Sequence, residues 1–182
     1  QGPFILPGFV DSHVHVESSM LSPVNFAKAA VKHGTIGVVA DPHEIANVAA
    51  ESGVDYMVKN ADRVPFYFFF GVPSCVPASP MDVCKKVLDA DVVTRLLQRD
   101  DMWFLGEMMN FPGVINADAD VLRKINAALD CGKPVDGHAP GLMGDDMERY
   151  FDAGISTDHE CFEINEAREK LSRGAKILIR EG

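Results

Sequence analysis

Short runs of β-branched and aromatic residues recur about every 20 to 37 residues along this 182-residue chain, each separated from the next by a longer amphipathic stretch. That alternation constrains the fold more than any other feature, because it is the pattern of repeated βα units around a parallel sheet. Strands are expected over 9–16, 36–40, 66–72, 103–108, 134–137, 155–158 and 176–180. Helices are expected over 23–32, 45–52, 81–88, 91–98, 120–129, 145–153 and 165–172. Pro23 after Ser22 reads as a helix start, and Gly34, Gly53, Gly132, Gly154 and Gly174 read as stops. One βα unit of an eight-fold barrel takes roughly 30 residues. The expected fold is therefore α/β, a TIM (β/α)8-type barrel that is incomplete at about seven βα units, with the eighth strand missing. An open doubly wound sheet is the alternative. No linker divides the chain, so residues 1–182 are read as one partial barrel domain.

Charge narrows the classes of partner. Seventeen Lys and Arg against 27 Asp and Glu leave a formal net charge of -10, which repels phosphate backbones and anionic lipid surfaces. Nucleic-acid and membrane partners are not expected. No apolar run approaches the roughly 20 residues that span a bilayer, and Gln1, Gly2 and Pro3 do not open a secretory signal. A cytoplasmic protein with a small-molecule substrate is expected. An unpaired strand edge at the eighth position would favour a homo-oligomer. Cys75, Cys84, Cys131 and Cys161 form no C-x-x-C pair and read as reduced core residues.

The residues with most chemistry lie at strand ends. His13 and His15 are two apart on the first expected strand, so both rings project from one face, roughly 6.6 Å apart along the backbone. Two imidazoles so placed can share a divalent metal, which offsets the cost of polar rings on an apolar strand. Two hydrogen-bonded core histidines would leave the same trace. Asp41-Pro42-His43-Glu44 follows the second strand, Glu107 closes the fourth, Asp136-Gly137-His138 the fifth and Thr157-Asp158-His159-Glu160 the sixth. Barrel active sites form at these carboxyl ends. His33, by contrast, precedes Gly34 at a helix end, where a cationic ring complements the helix dipole.

H-x-H on the first strand, a carboxylate on the fourth and His on the fifth and sixth resemble the metal-ligand set of the amidohydrolase superfamily. The strings Pro-Gly-Phe-Val-Asp-Ser-His-Val-His-Val-Glu-Ser-Ser-Met, Ala-Asp-Pro-His-Glu-Ile-Ala-Asn-Val, Gly-Glu-Met-Met-Asn-Phe-Pro-Gly-Val and Asp-Gly-His-Ala-Pro-Gly-Leu are similar to its adenine deaminase branch in order and spacing. The resemblance implies that His13 and His15 ligate one metal, Glu107 bridges two, and His138 and His159 ligate the second. The cofactors implied are two divalent ions, Mn, Fe or Zn. Asp41 is a further candidate near the metals, while His43 and Glu44 could bind metal, orient substrate or relay protons. The activity implied is conversion of adenine and water to hypoxanthine and ammonia by a metal-activated water. Dihydroorotase-like and urease-like relatives carry a carbamylated Lys where this strand has Glu107. A related reaction on a hydantoin, imidazolone or cytosine, or a noncatalytic barrel remnant, are the competing readings.

Family members also carry an Asp at the eighth strand and a flanking β-sandwich domain. This chain runs out at Glu181-Gly182, so it is expected to be a fragment that alone binds metal poorly and turns adenine over slowly or not at all. Three near-matches fail. His43-Glu44-Ile45-Ala46-Asn47 has Asn where a zincin needs its second His. His15-Val16-Glu17 lacks the P-C-x-x-C of the cytidine-type deaminases. Asp118 and Asp120 lack the Gly and terminal Glu of a calcium loop and read as helix-start residues. The aromatic run 66–70 is expected to be a strand buried on both faces.

Overall fold

The structure, a computed structural model, describes residues 3–180. Gln1, Gly2, Glu181 and Gly182, on which part of the reading of the chain's start and finish rests, lie outside the described residues. Strand β1 (Phe9–Val14) leads through a 3₁₀ turn (Val16–Ser19) to helix α1 (Pro23–Ala30), which tightens into a second 3₁₀ turn (Val31–His33) before Gly34. Strand β2 (Thr35–Ala40) precedes α2 (His43–Ala49) and α3 (Glu51–Ala61), and β3 (Tyr67–Val72) precedes α4 (Ala90–Leu97). Then come β4 (Phe104–Met108), α5 (Phe111–Ile115), α6 (Ala119–Asp130), β5 (Val135–Gly137), α7 (Gly144–Asp152), β6 (Thr157–Asp158), α8 (Ile164–Ser172) and β7 (Lys176–Ile177).

β1 to β5 form one parallel sheet in sequential order, β1-β2-β3-β4-β5. A doubly wound sheet reverses its order at a switch point; this one does not, and it is the arrangement of part of a (β/α) barrel. β6 and β7 make a separate parallel pair that meets β5 through a single bridge between Val135 and Ile155. Side chains explain the break in the ladder. Gly137 N–H donates to the Asp136 carboxylate and to the Thr157 hydroxyl, so β5 and β6 are joined there by side-chain bonds instead of strand pairing. Val38, Ala40, Phe70, Val72, Leu105, Met108 and Val135 point from the strands into a core shared with Val54, Met57, Val93, Leu97 and Ile125 of the helices. Among the described residues no helix is long and apolar enough to cross a membrane.

Four expectations are corrected. Residues 81–88 form no helix; turns there are held by the Asp82 carboxylate, which accepts from Ser79 N–H and its hydroxyl, after Pro77 and Pro80 have broken any helical run. Gly53 is not a stop but lies inside α3, where a Cβ would stand 2.7 Å from the Ile45 carbonyl oxygen. Its missing side chain lets α2 and α3 pack backbone to backbone across the kink at Ala50, whose φ is 53°. The aromatic run is not buried on both faces: Tyr67 is exposed, Phe68 and Phe69 are half-buried and Phe70 alone is fully enclosed. The run is buried progressively towards the carboxyl end of β3, where the sheet is covered. Cys131, at the carboxyl end of α6, is likewise exposed, whereas Cys75 is in the core. Asp118 caps α6 as expected, accepting from Asp120 and Val121 N–H.

The strand ends are tied to the last helix by one buried cation. Lys170 Nζ of α8 donates to Asp158 Oδ2 at 2.7 Å, Glu166 Oε1 at 2.6 Å and the Ala139 carbonyl at 2.6 Å. Glu166 also accepts from Gly141 and Phe162 N–H, and Asp158 from Glu160 N–H. Every charge is thus paired and hydrogen-bonded, which is the condition for burying such a group. Lys170→Met should leave two carboxylates unpaired and lower unfolding free energy by about 3–5 kcal/mol, measured by urea denaturation.

Candidate metal site

Glu107 is placed by a defect in the sheet. Leu105 pairs with Val135 and Met108 with Gly137, so three steps on β4 oppose two on β5, a bulge at the carboxyl end of the strand. Bulges re-aim side chains. Here Leu105 and Met108 both enter the core while Glu107 turns to the strand-end cluster. Gly106 is required beside it, since a Cβ there would overlap the Asp41 carboxylate. That carboxylate accepts from Glu107 N–H at 2.9 Å. β1 carries a similar irregularity between Asp11 and Val14, just before His15 leaves the strand.

Five imidazoles face the Glu107 side chain. His159 Nε2 lies 2.8 Å from Oε2, His138 Nδ1 3.2 Å and His13 Nε2 3.8 Å from the same oxygen; His43 Nδ1 and His15 Nε2 lie 3.3 and 3.5 Å from Oε1. His13 Nε2 is also 3.2 Å from His15 Nε2, and the His13 ring stacks on His159 with centroids 3.6 Å apart. The structure thus brings together His13, His15, Asp41, His43, Glu107, His138 and His159. It does not bring Glu44 into the set. One helical step of about 100° beyond His43 turns Glu44 towards Ser18, whose hydroxyl donates to it at 2.5 Å.

Hydrogen bonds behind the cluster set two of the rings and one backbone segment. His15 Nδ1 lies 2.9 Å from the Asp41 carbonyl, His13 Nδ1 2.9 Å from Asp136 Oδ2, and His138 N–H donates to Tyr150 Oη, which itself donates to the Met108 carbonyl. Asp136 and Tyr150 are functional neighbours that the sequence reading missed. Asp136 carried a signal, since a period of two puts it on the face of His138. Tyr150, inside an amphipathic helix, carried none. Half-buried Glu17 was also passed over: its Oε1 accepts from Ile45 N–H while Oε2 has no partner, and burial raises its carboxyl pKa.

The electrostatics follow from the crowding. Burial alone would raise the Glu107 carboxyl, but His138 and His159, with His15 and His43, outweigh it and hold it well below the usual carboxylate range. Burial works against a charged His43, and Asp41 beside it, with Glu107 and Glu17 behind, pushes it up to about 9 all the same. His138 is raised in the same way, against burial, by Glu107.

The donor set fits a divalent metal. Glu107 Oε2 and Asp41 Oδ1 are buried without hydrogen-bond partners. The ring nitrogens around Glu107 stand 2.8 to 3.8 Å from its carboxylate oxygens. Two ligands each about 2.0–2.1 Å from a tetrahedral zinc lie roughly 3.3 Å apart, close to the spacing between these atoms. His13, His15 and Glu107 form one group of ligand atoms within 4.8 Å of one another, and Glu107, His138 and His159 form another, sharing Glu107. Asp41, His43 and Glu107 make a third such group. The separate group of Asp158, Cys161 and Glu166 already holds the Lys170 ammonium between its two carboxylates.

Residues 4–182 match the Amidohydrolase family. The chain is 56% identical over 182 residues to a protein named adenine deaminase from Parabacteroides distasonis, which covers 100% of the chain and 33% of that protein. It is 60% identical over 178 residues to one of the same name from Salinibacter ruber, covering 98% and 33%. It is 58% identical over 179 residues to another from Methanosarcina acetivorans, covering 98% and 32%. The chain therefore spans about a third of the length of the curated relatives it matches.

Without metal, the raised His43 and His138 contribute stability that is complete below about 6.5 and is lost as pH rises, for His43 through about 9. Depressed Glu107 contributes stability that is complete above about 4.5 and is lost as pH falls. Thermal unfolding in chelator should accordingly drop on the alkaline side of neutrality and again in acid, and His43→Gln should flatten the alkaline limb.

Proposed function

We infer, from the premise that the chain belongs to the amidohydrolase family, that it is the metal-holding portion of a hydrolytic adenine deaminase converting adenine and water to hypoxanthine and ammonia. The observation that carries this reading is the convergence of five imidazoles on buried Glu107 at strand ends, in a chain 51–60% identical to proteins named adenine deaminase. The seven strands are read as seven successive βα units of one barrel domain, supported by the sequential order of β1 to β5 and the bridge from β5 to Ile155 ahead of β6. A small purine substrate, a cytoplasmic setting and self-association complete the reading.

His13, His15, Glu107, His138 and His159 would hold two divalent ions, with Glu107 shared, and Mn, Fe and Zn all suit such ligands. Metal bound there acidifies water from about 15.7 towards 7, supplying the nucleophile for the adenine ring. The chain's own groups do the rest. Asp41 anchors Glu107 through its backbone N–H and holds His43 charged. His43 Nδ1 lies 3.5 Å from Asp41 and 3.3 Å from Glu107, two carboxylates that favour its protonated form, so it is the group placed to give a proton to a leaving nitrogen. Deamination loses ammonia, so a proton must reach that nitrogen as the C–N bond breaks. Glu44 accepts from the Ser18 hydroxyl and so supports the turn after β1.

In a protein of the relatives' full length the reading predicts two equivalents of Mn or Zn per chain by elemental analysis after desalting, with most of it lost in Glu107→Gln, and ammonia released from adenine and not from hydantoin, imidazolone or cytosine. This chain alone should bind the metal weakly and release ammonia slowly or not at all. A full-length protein without stoichiometric metal after loading, or rapid turnover by this chain alone, would overturn the reading, and ammonia from cytosine in place of adenine would move the substrate.

A further inference from the structure

His13 is gripped from its far side by a carboxylate that the reading above does not use. Asp136, buried to 7% exposure, places Oδ2 2.9 Å from His13 Nδ1. Its other oxygen, Oδ1, accepts from Gly137 N–H at 3.0 Å and from the Thr157 hydroxyl, which itself accepts from Gly137 N–H at 2.9 Å. A backbone N–H can only donate and an ionised carboxylate oxygen can only accept. Oδ1 is thus supplied with donors, and Oδ2 is left to take its proton from His13 Nδ1. Nε2 then carries the lone pair, 3.2 Å from His15 Nε2 and 3.8 Å from Glu107 Oε2.

We propose that Asp136 is a positioning residue that fixes His13 in its Nδ1-protonated form and so presents an unprotonated Nε2 on the Glu107 side. The consequence for metal rests on reading His13 as a ligand, but the tautomer itself is a property of this chain's hydrogen bonds. Outer carboxylates of this kind change metal affinity by about 10- to 100-fold.

Substitution by Asn gives a test with a sign of its own. In Asp136→Asn the amide oxygen must stay at the Oδ1 position, because an NH₂ there would face the Gly137 N–H. The NH₂ then faces His13 Nδ1, which has to accept, and the ring proton moves to Nε2 where it blocks a metal. A residue that only fills space or packs would be replaced better by isosteric Asn than by Ala. Here the order reverses: in Mn titrations of the full chain, Asp136→Ala should lose about tenfold in affinity and Asp136→Asn about a hundredfold, close to His13→Ala.

Imidazole ¹⁵N NMR of the metal-free chain, at a pH where His13 is neutral, should show its proton on Nδ1 in the wild type and on Nε2 in Asp136→Asn. Asn binding Mn as well as the wild type, or better than Ala, would overturn the proposal. So would a wild-type His13 protonated at Nε2, which decides the matter even if a variant does not fold. If His13→Ala binds Mn like the wild type, the ligand reading is what fails, and the NMR still judges Asp136.

Discussion

A buried negative charge without enough hydrogen bonds is the constraint around which this chain is organised. Glu107 is 3% exposed, and its Oε2 has no hydrogen-bond partner. An isolated carboxylate in such a place would take up a proton instead of staying charged. The surrounding imidazoles prevent that, and they are numerous because the charge is there to be faced. Remove the acid and the five rings would crowd one another with opposing charge only at the margins, from Asp41 and Asp136; remove the rings and the acid would be neutral. Each half of the cluster is tenable only because of the other.

The backbone makes this possible with two local irregularities and one absence. The bulge on β4 turns Glu107 out of the core side of the sheet, and the irregularity on β1 precedes His15. Gly106 leaves room for the Asp41 carboxylate to reach the Glu107 amide. The outer hydrogen bonds from Asp136 and the Asp41 carbonyl hold two of the rings, His13 and His15, from behind, and Tyr150 holds the backbone of His138. The fully buried Lys170 then clamps the segments that carry His138 and His159 to α8. Rigid support of this kind is what holds ligand groups in place before a cation arrives.

Much of this was readable from residues alone, because periodicity and punctuation are local properties. The alternation of apolar runs and amphipathic stretches located all seven strands to within a few residues, and Asp118 announced α6. Seven of the eight site residues singled out do converge, since strand ends carry that information. What escaped was set by contacts between distant segments. Gly53 looked like a stop because nothing local shows that the Ile45 carbonyl lies against it. Residues 81–88 had helical composition, and the Ser79–Asp82 turn, with Pro77 before it and Pro80 within it, prevailed. Glu44 was grouped with His43 by adjacency, whereas a helix separates neighbours by a wide angle. Tyr150 reads as one more apolar helix position until the Met108 carbonyl and His138 amide are seen around its hydroxyl.

The cluster is drawn from positions far apart along the chain. His15 and Asp41 are 26 residues apart, and His138 and His159 are 21 apart, but His13 and Asp136 are separated by 123. Each end of the polypeptide can form its own half-site by short-range closure, and the halves meet only after the intervening strands have lined up. Contacts of that span come late and slowly in folding. On the proposed metal reading, cation capture by the joined halves would report on finished topology, and a partly wound chain would display two weak, separate histidine pairs in place of one strong centre.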